Sequence, residues 1–167
     1  MNWLEGGRKI ARELMRITPL REALRKLSLK GLLPSQVWKR LPVEVTFPIV
    51  LPDGRSFFYS ATPNDVIARV LYWRGLQDWE CETISCFYEL AKSAQTILDI
   101  GANTGFYTLL ALVANPVSRV IALEPVPRVF KKLYEHIHLN HFDDRCELYM
   151  VAASSFVGTA LMLVPFG

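Results

Sequence analysis

Ile97-Leu98-Asp99-Ile100-Gly101-Ala102-Asn103-Thr104-Gly105-Phe106-Tyr107-Thr108 is the stretch that decides the fold of this 167-residue chain. A short apolar run holding one acid leads into a glycine-spaced turn, and the turn opens a second apolar run of helical length, Gly105 to Ala114. A strand that passes through such a turn straight into a helix places backbone N–H groups and a helix N-terminus at the carboxyl edge of a sheet, where open α/β sheets bind their ligands. Gly101 and Gly105 permit the tight turn and the close approach of a ligand, since a side chain at either position would clash. Asn103, where many nucleotide loops carry a middle glycine, is the non-glycine residue that best tolerates positive φ.

Working outward, Thr96–Ile100, Ser118–Leu123 and Cys146–Ala153 read as strands, and 105–114 and Pro127–Leu139 as helices. Strands alternating with helices of this length mean βαβαβ units and a parallel sheet with right-handed crossovers. Thr159–Val164, after Gly158, reads as one more strand. Glu124 lies 25 positions after Asp99 and 23 after Gly101, near the spacing of about 20 residues at which such folds set a carboxylate on ribose hydroxyls. Accepting from both hydroxyls makes charge-assisted bonds of roughly 1.5–3 kcal/mol each. Pro125 and Pro127 then end the strand and open the next helix. Asp99 sits in an otherwise apolar strand, where an unpaired charge would be costly. Together these features predict a nucleotide-type ligand site.

The combination ILDIGANTGFYTLL, RVIALEPVPRVFKKLYEHIHLN and ELYMVAAS resembles the FkbM-type family of S-adenosylmethionine-dependent methyltransferases, mostly O-methyltransferases acting on hydroxyls of sugars and other natural products. The likeness covers roughly residues 75–167 and is most specific in D-I-G-A-N-T-G and the later E-P. It implies a Rossmann-like class I methyltransferase fold, S-adenosylmethionine as cofactor, and a small-molecule or glycan hydroxyl as acceptor. By that likeness Asp99 orients the amino-acid portion of the cofactor, partly through water. Gly101 to Gly105 pass under that portion, and Glu124 holds the ribose. Ala102, Thr104, Phe106 and Pro125 line the same path, and Ala153 joins the set from Ala152-Ala153-Ser154-Ser155, where the family often carries an acid near the adenine. No residue is marked as catalytic base. The family's later strand, with its I-D-V-E-G type motif, is absent before the chain ends at Gly167. The parallel sheet is therefore expected to be incomplete. In the strand order 3-2-1, Ile97–Ile100, which reads as buried on both faces, would become an apolar edge. Such an edge invites aggregation, and the expectation is the N-terminal part of a longer enzyme or a truncated product.

Composition agrees with a domain that has a real core: 51% of residues are hydrophobic and 21% charged. The formal charge of +3 is uneven, because residues 1–40 hold ten Lys/Arg against three Glu. Three regions are expected: a basic helical leader (1–40), a hairpin and helix (41–75), and the cofactor-binding half of a methyltransferase domain (76–167). In the leader, Leu4, Ile10, Leu14, Ile17, Leu20, Leu24 and Leu27 recur at helical steps among Arg8, Lys9, Arg12, Arg16, Arg21, Arg25 and Lys26, with a break near Thr18-Pro19. The plainer reading packs the apolar stripe against the chain's own domain. The other attaches residues 1–30 to an anionic membrane surface or a protein. Phe47–Leu51 and Ser56–Ser60 around Pro52-Asp53-Gly54-Arg55 read as a β-hairpin. Thr62-Pro63-Asn64-Asp65 supplies the cap and first turn of a helix closed by Gly75. Asp78 caps another helix to about Ala94, with Trp79, Ile84, Phe87, Leu90 and Ala91 on one face.

No apolar run approaches the roughly 18 residues that span a bilayer, and no secretory signal is evident, so the expected location is cytoplasmic. Cys81, Cys86 and Cys146 fit no metal or disulfide spacing and read as small hydrophobes. His136, His138 and His141 lack metal-site spacing, and Tyr72, Trp73 and Trp79 read as core. Without a basic patch carrying interleaved aromatics on the α/β part, no nucleic acid partner is expected. Two alternatives stand beside the methyltransferase. One is a nicotinamide-dependent oxidoreductase, disfavoured because G-A-N-T-G-F departs from G-x-G-x-x-G. The other is an inactive binding module that keeps the fold and docks through its N-terminal helix.

Overall fold

The structure is a computed structural model that describes residues 3–63 and 65–164, with side chains except for residues 3–9 and Gln77. The chain divides into two compact units, one of residues 1–49 with 59–81 and the other of residues 50–58 with 82–167.

The first unit holds α1 (Trp3–Arg16), α2 (Thr18–Leu29), α3 (Ser35–Trp38) and α4 (Val66–Arg74), followed by a 3-10 turn at Leu76–Asp78. The leader breaks where expected: Ile17 is extended and Pro19 occupies the first turn of α2, where its missing N–H is harmless. α3 has no counterpart in the sequence reading. Asp65, not Thr62, caps α4, accepting from the Ala68 N–H at 2.8 Å; Asn64 lies outside the described residues. The core is aromatic. Tyr72 meets Phe47 and Trp73 edge-on at centroid separations of 5.1 and 5.0 Å, and Tyr59 and Trp73 are wholly buried. Tyr72 and Trp73 are thus core, as read, whereas Trp79 lines an open depression of about 520 Å³ with Trp38 and Lys39. Most of the leader's described apolar stripe is not packed inward, a departure from the plainer expectation: Ile10, Leu14, Leu20 and Leu27 face solvent, and Leu24 is half-buried.

β1 (Thr46–Val50) and β2 (Ser56–Ser60) pair as the expected hairpin. Its turn is closed by Leu51 N–H to Arg55 carbonyl at 2.8 Å, with Gly54 at φ 86°.

The second unit is built on α5 (Cys81–Ala91), β3 (Thr96–Ile100), α6 (Phe106–Ala114), β4 (Arg119–Leu123), α7 (Pro127–Leu139) and β5 (Cys146–Tyr149). The sheet order is β3-β4-β5, all parallel, with Asp99 opposite Ala122 and Ala122 opposite Leu148. This is a βαβαβ segment with the topology of a Rossmann-like fold. On α5 the buried residues are Ile84, Tyr88 and Ala91, and Leu90 is exposed. The face therefore runs through Tyr88 at i+4 and not through Leu90, because Tyr88 donates its hydroxyl to Asp53 at 2.7 Å. Cys146 is buried, but Cys81 and Cys86 are exposed, so only the first behaves as a core hydrophobe. Burial pushes the Cys146 thiol up to about 12.

Two strand expectations change. β5 ends at Tyr149, four residues before Ala153, because its last rung is Glu124 N–H to Tyr149 carbonyl at 3.1 Å and the neighbouring strand continues into Pro125, which has no N–H to offer. Thr159–Val164 is not a strand, and Leu161 and Leu163 are fully exposed with no adjacent strand among the described residues. As expected, β3 lies at the sheet edge. One face of the sheet buries Val120, Ala122 and Cys146, while Leu98 and Ile100 on the other are more than half exposed, so β3 is not covered on both faces.

Candidate functional site

The carboxyl end of β3 and β4 is where the candidate residues converge. The Gly101 and Ala102 N–H groups both donate to the Leu123 carbonyl at 2.9 Å, tying the loop to the end of β4. Gly105 N–H returns to the Ala102 carbonyl at 2.9 Å, closing a turn whose residues Gly101, Asn103 and Gly105 all have positive φ, at 77°, 52° and 90°. Asn103 thus takes the conformation read for it. The two glycines answer to different demands. At Gly105 an added Cβ would lie 2.5 Å from Leu133 Cδ1, so the close neighbour there is α7. At Gly101 a Cβ would meet nothing within 4 Å; only its φ asks for glycine, and the expected clash is not with protein.

Glu124 is 94% buried at the end of β4, being 6% exposed. Its Oε2 accepts the Asn103 N–H and its Oε1 the Val126 N–H, each at 2.9 Å. The carboxylate therefore bolts the glycine loop to the start of α7. A carboxylate has about four acceptor positions, so each oxygen keeps one for a further donor.

Asp99 reaches back from β3 to α6. Its Oδ2 accepts the Thr108 hydroxyl at 2.5 Å, and the Thr108 backbone N–H also hydrogen-bonds it, so Asp99 supplies the cap that Gly105 lacks as a side chain. Burial holds the Asp99 carboxyl above the usual carboxylate range; the Thr108 bonds pull it down and nearby Glu124 pushes it up.

The remaining candidates divide. Ala102 is buried, Thr104 and Pro125 are partly exposed, and Asn103 is exposed. Phe106 is not a lining side chain: it is 2% exposed and packs edge-on against Phe57 at 5.8 Å and Tyr107 at 5.5 Å, leaving only its backbone at the helix start. Ala153 is exposed in irregular chain beyond β5 and is not drawn into the loop cluster by any strand pairing.

Sequence reasoning missed His136. It is fully buried on α7, with Nδ1 2.6 Å from the Thr104 carbonyl oxygen, so an Nδ1–H donated there holds the loop at a second point besides Glu124. The available signal was its spacing of three from Leu133, which puts both on the face that packs on Gly105. Among the described residues no group of three or more His, Cys, Asp or Glu could hold a metal ion.

No protein-family model matches the chain. Over 70 residues it is 36% identical to the tRNA(Phe) (4-demethylwyosine(37)-C(7)) aminocarboxypropyltransferase of Pyrococcus horikoshii, a match covering 42% of this chain and 25% of that protein. Among solved structures, it is similar to a SAM-dependent methyltransferase from Agrobacterium tumefaciens, with 15% identity, TM-score 0.46, and 66% of this chain and 34% of that one covered. It is also similar to an O-methyltransferase from Bacillus cereus in complex with SAH, with 22% identity, TM-score 0.38, and coverages of 41% and 32%. The chain thus spans about a quarter of the curated relative and about a third of each solved one.

Proposed function

We propose that residues 82–164 form the S-adenosylmethionine-binding half of a methyltransferase domain, transferring a methyl group to a hydroxyl of a small molecule or glycan. The observation that carries the reading is the Glu124–Asn103 hydrogen bond, which joins an acid at the end of β4 to a positive-φ glycine loop at the end of β3. The residues fit the cofactor in two respects. The space over Gly101 is open, so a ligand can approach the backbone there, and each Glu124 oxygen keeps an acceptor position for a ribose hydroxyl after binding the loop. When bound, S-adenosylmethionine supplies an electrophilic methyl on a sulfonium. The chain's own residues bind and orient: Glu124 takes hydroxyl donors, and Asp99 holds the first turn of α6 beneath the amino-acid portion. We assign the general base that an oxygen acceptor requires to no described residue.

A second acceptor class has one observation in its favour. The 36% identical relative is named for tRNA, so RNA belongs beside hydroxyl compounds in any acceptor screen, against the expectation of no nucleic acid. The nicotinamide reading is weaker, because Asn103 stands where the second glycine should let a pyrophosphate approach.

The test is Glu124→Gln, which keeps the size and removes the charge. S-adenosylhomocysteine affinity should fall by one to two decades, about 1.5–3 kcal/mol, for lost charged hydrogen bonds. A 2′,3′-dideoxy analogue should bind wild type and variant alike, which separates a ribose contact from a loosened loop. Equal S-adenosylhomocysteine affinities would remove the ribose role.

A further inference from the structure

We propose that α1 and α2 dock this chain on the surface of an anionic lipid membrane. Part of α2 packs in the reverse sense of a helix folded for water alone. Glu22, Arg25 and Ser28 pack into the first unit. Arg25 Nε donates to the Tyr72 carbonyl at 3.1 Å and its guanidinium lies 4.6 Å over the Tyr72 ring. Glu22 accepts the Tyr72 hydroxyl at 3.1 Å, and Ser28 is wholly buried. Leu24 is half-buried, but Leu20 is 37% and Leu27 43% exposed, seven residues apart on one face. On α1, Ile10 and Leu14, one turn apart, are 63% and 43% exposed, and Ile17 at the junction 50%. Arg12, Arg16 and Lys26 are exposed on the same two helices, and Lys30 is exposed at the C-cap of α2.

Aliphatic side chains kept in water on a helix whose Arg25 packs half-buried over the Tyr72 ring form an interaction surface. Its charge selects the partner. Ten Lys/Arg against three Glu in residues 1–40 suit an anionic surface, and an aliphatic stripe flanked by cations is the pattern of a helix lying in the headgroup–acyl boundary. RNA fits less well, because single strands are held by exposed aromatics interleaved with cations, and here Phe47, Tyr72 and Trp73 are buried. The helices, of 14 and 12 residues, lie on the surface and do not cross: no helix among the described residues is long and apolar enough to span a membrane.

The experiment is co-sedimentation of the full chain with vesicles of phosphatidylcholine alone or with about 30% phosphatidylglycerol, at low and high NaCl. Binding should be at least ~10-fold tighter to the anionic vesicles and weaken with salt. Leu14→Ser with Leu27→Ser should reduce it about 10-fold, and Lys26→Gln with Lys30→Gln should reduce it too, with unchanged circular dichroism because all four side chains are exposed. Three outcomes overturn the proposal. One is no binding to anionic vesicles at low salt. Another is binding indifferent to the leucine changes. The third is an oligomer or RNA complex that the same leucine changes dissolve while vesicles stay unbound.

Discussion

Both oxygens of Glu124 accept backbone N–H groups, and His136 grips the Thr104 carbonyl, so the glycine loop is held before any ligand arrives. At this scale the two glycines make separable contributions. Gly105→Ala should be destabilising by about 2–3 kcal/mol, because it joins strain at a φ of 90° to a clash with Leu133, and a thermal melt should show it. Gly101→Ala should cost about 1 kcal/mol, because only its φ is strained. A Gly105→Ala variant as stable as wild type would mean that Leu133 and α7 yield freely. The loop was legible because glycine spacing, a tolerant Asn and a strand-end acid are local signals. The hold of Glu124 on the loop was not, because nothing local says that a strand-end carboxylate caps its own loop. Phe106 misled for a related reason: adjacency to a motif sets where a backbone goes, while its side chain answers to Phe57, 49 positions earlier.

At the scale of elements, α6 is held at both ends. Asp99 caps its start, and at its end the Arg55 guanidinium donates to the Val113 and Ala114 carbonyls at 3.0 and 2.5 Å while Arg145 donates to the Leu112 carbonyl at 3.1 Å. Cations at a helix C-terminus also complement its dipole. Arg55 is itself paired with Asp53 at 2.9 Å, and Asp53 accepts the Tyr88 hydroxyl. Burial first, and then the bond to Asp53, raise the Tyr88 phenol from 10.0 to about 12. A group whose folded value is raised contributes stability that is fully present below its unfolded value and is lost as pH rises through the folded one. Melts of wild type should therefore lose stability between pH 10 and about 12 by more than those of Tyr88→Phe; identical profiles would show that this hydroxyl contributes nothing. The first two strands and both helices of the βαβαβ segment were read nearly to the residue, since apolar period and proline punctuation act locally. The phase of α5 was missed because a tyrosine with a partner outcompetes a leucine for the buried face. β5 was read too long because its length is set by its neighbour's prolines.

For the whole molecule, the sheet of the second unit presents one covered and one uncovered face, and β3, paired only with β4 among the described residues, is an open edge. Parallel sheets are ordinarily covered on both faces. Leu98→Lys should therefore reduce self-association in a sedimentation experiment while shifting stability by no more than about 0.5 kcal/mol, as at other surface positions. A large loss of stability would mean that Leu98 is buried in solution by something. The edge itself was legible from strand count and order. The outward leucines of α2 were not, because periodicity locates an apolar stripe without saying which side of a helix the rest of the chain will take.

The most direct test of the central claim is calorimetric titration of the folded chain with S-adenosylhomocysteine and, separately, with NADH. The Glu124–loop site predicts saturable binding of S-adenosylhomocysteine and none of NADH. Saturation by NADH alone, or by neither ligand in a chain shown to be folded, would contradict it.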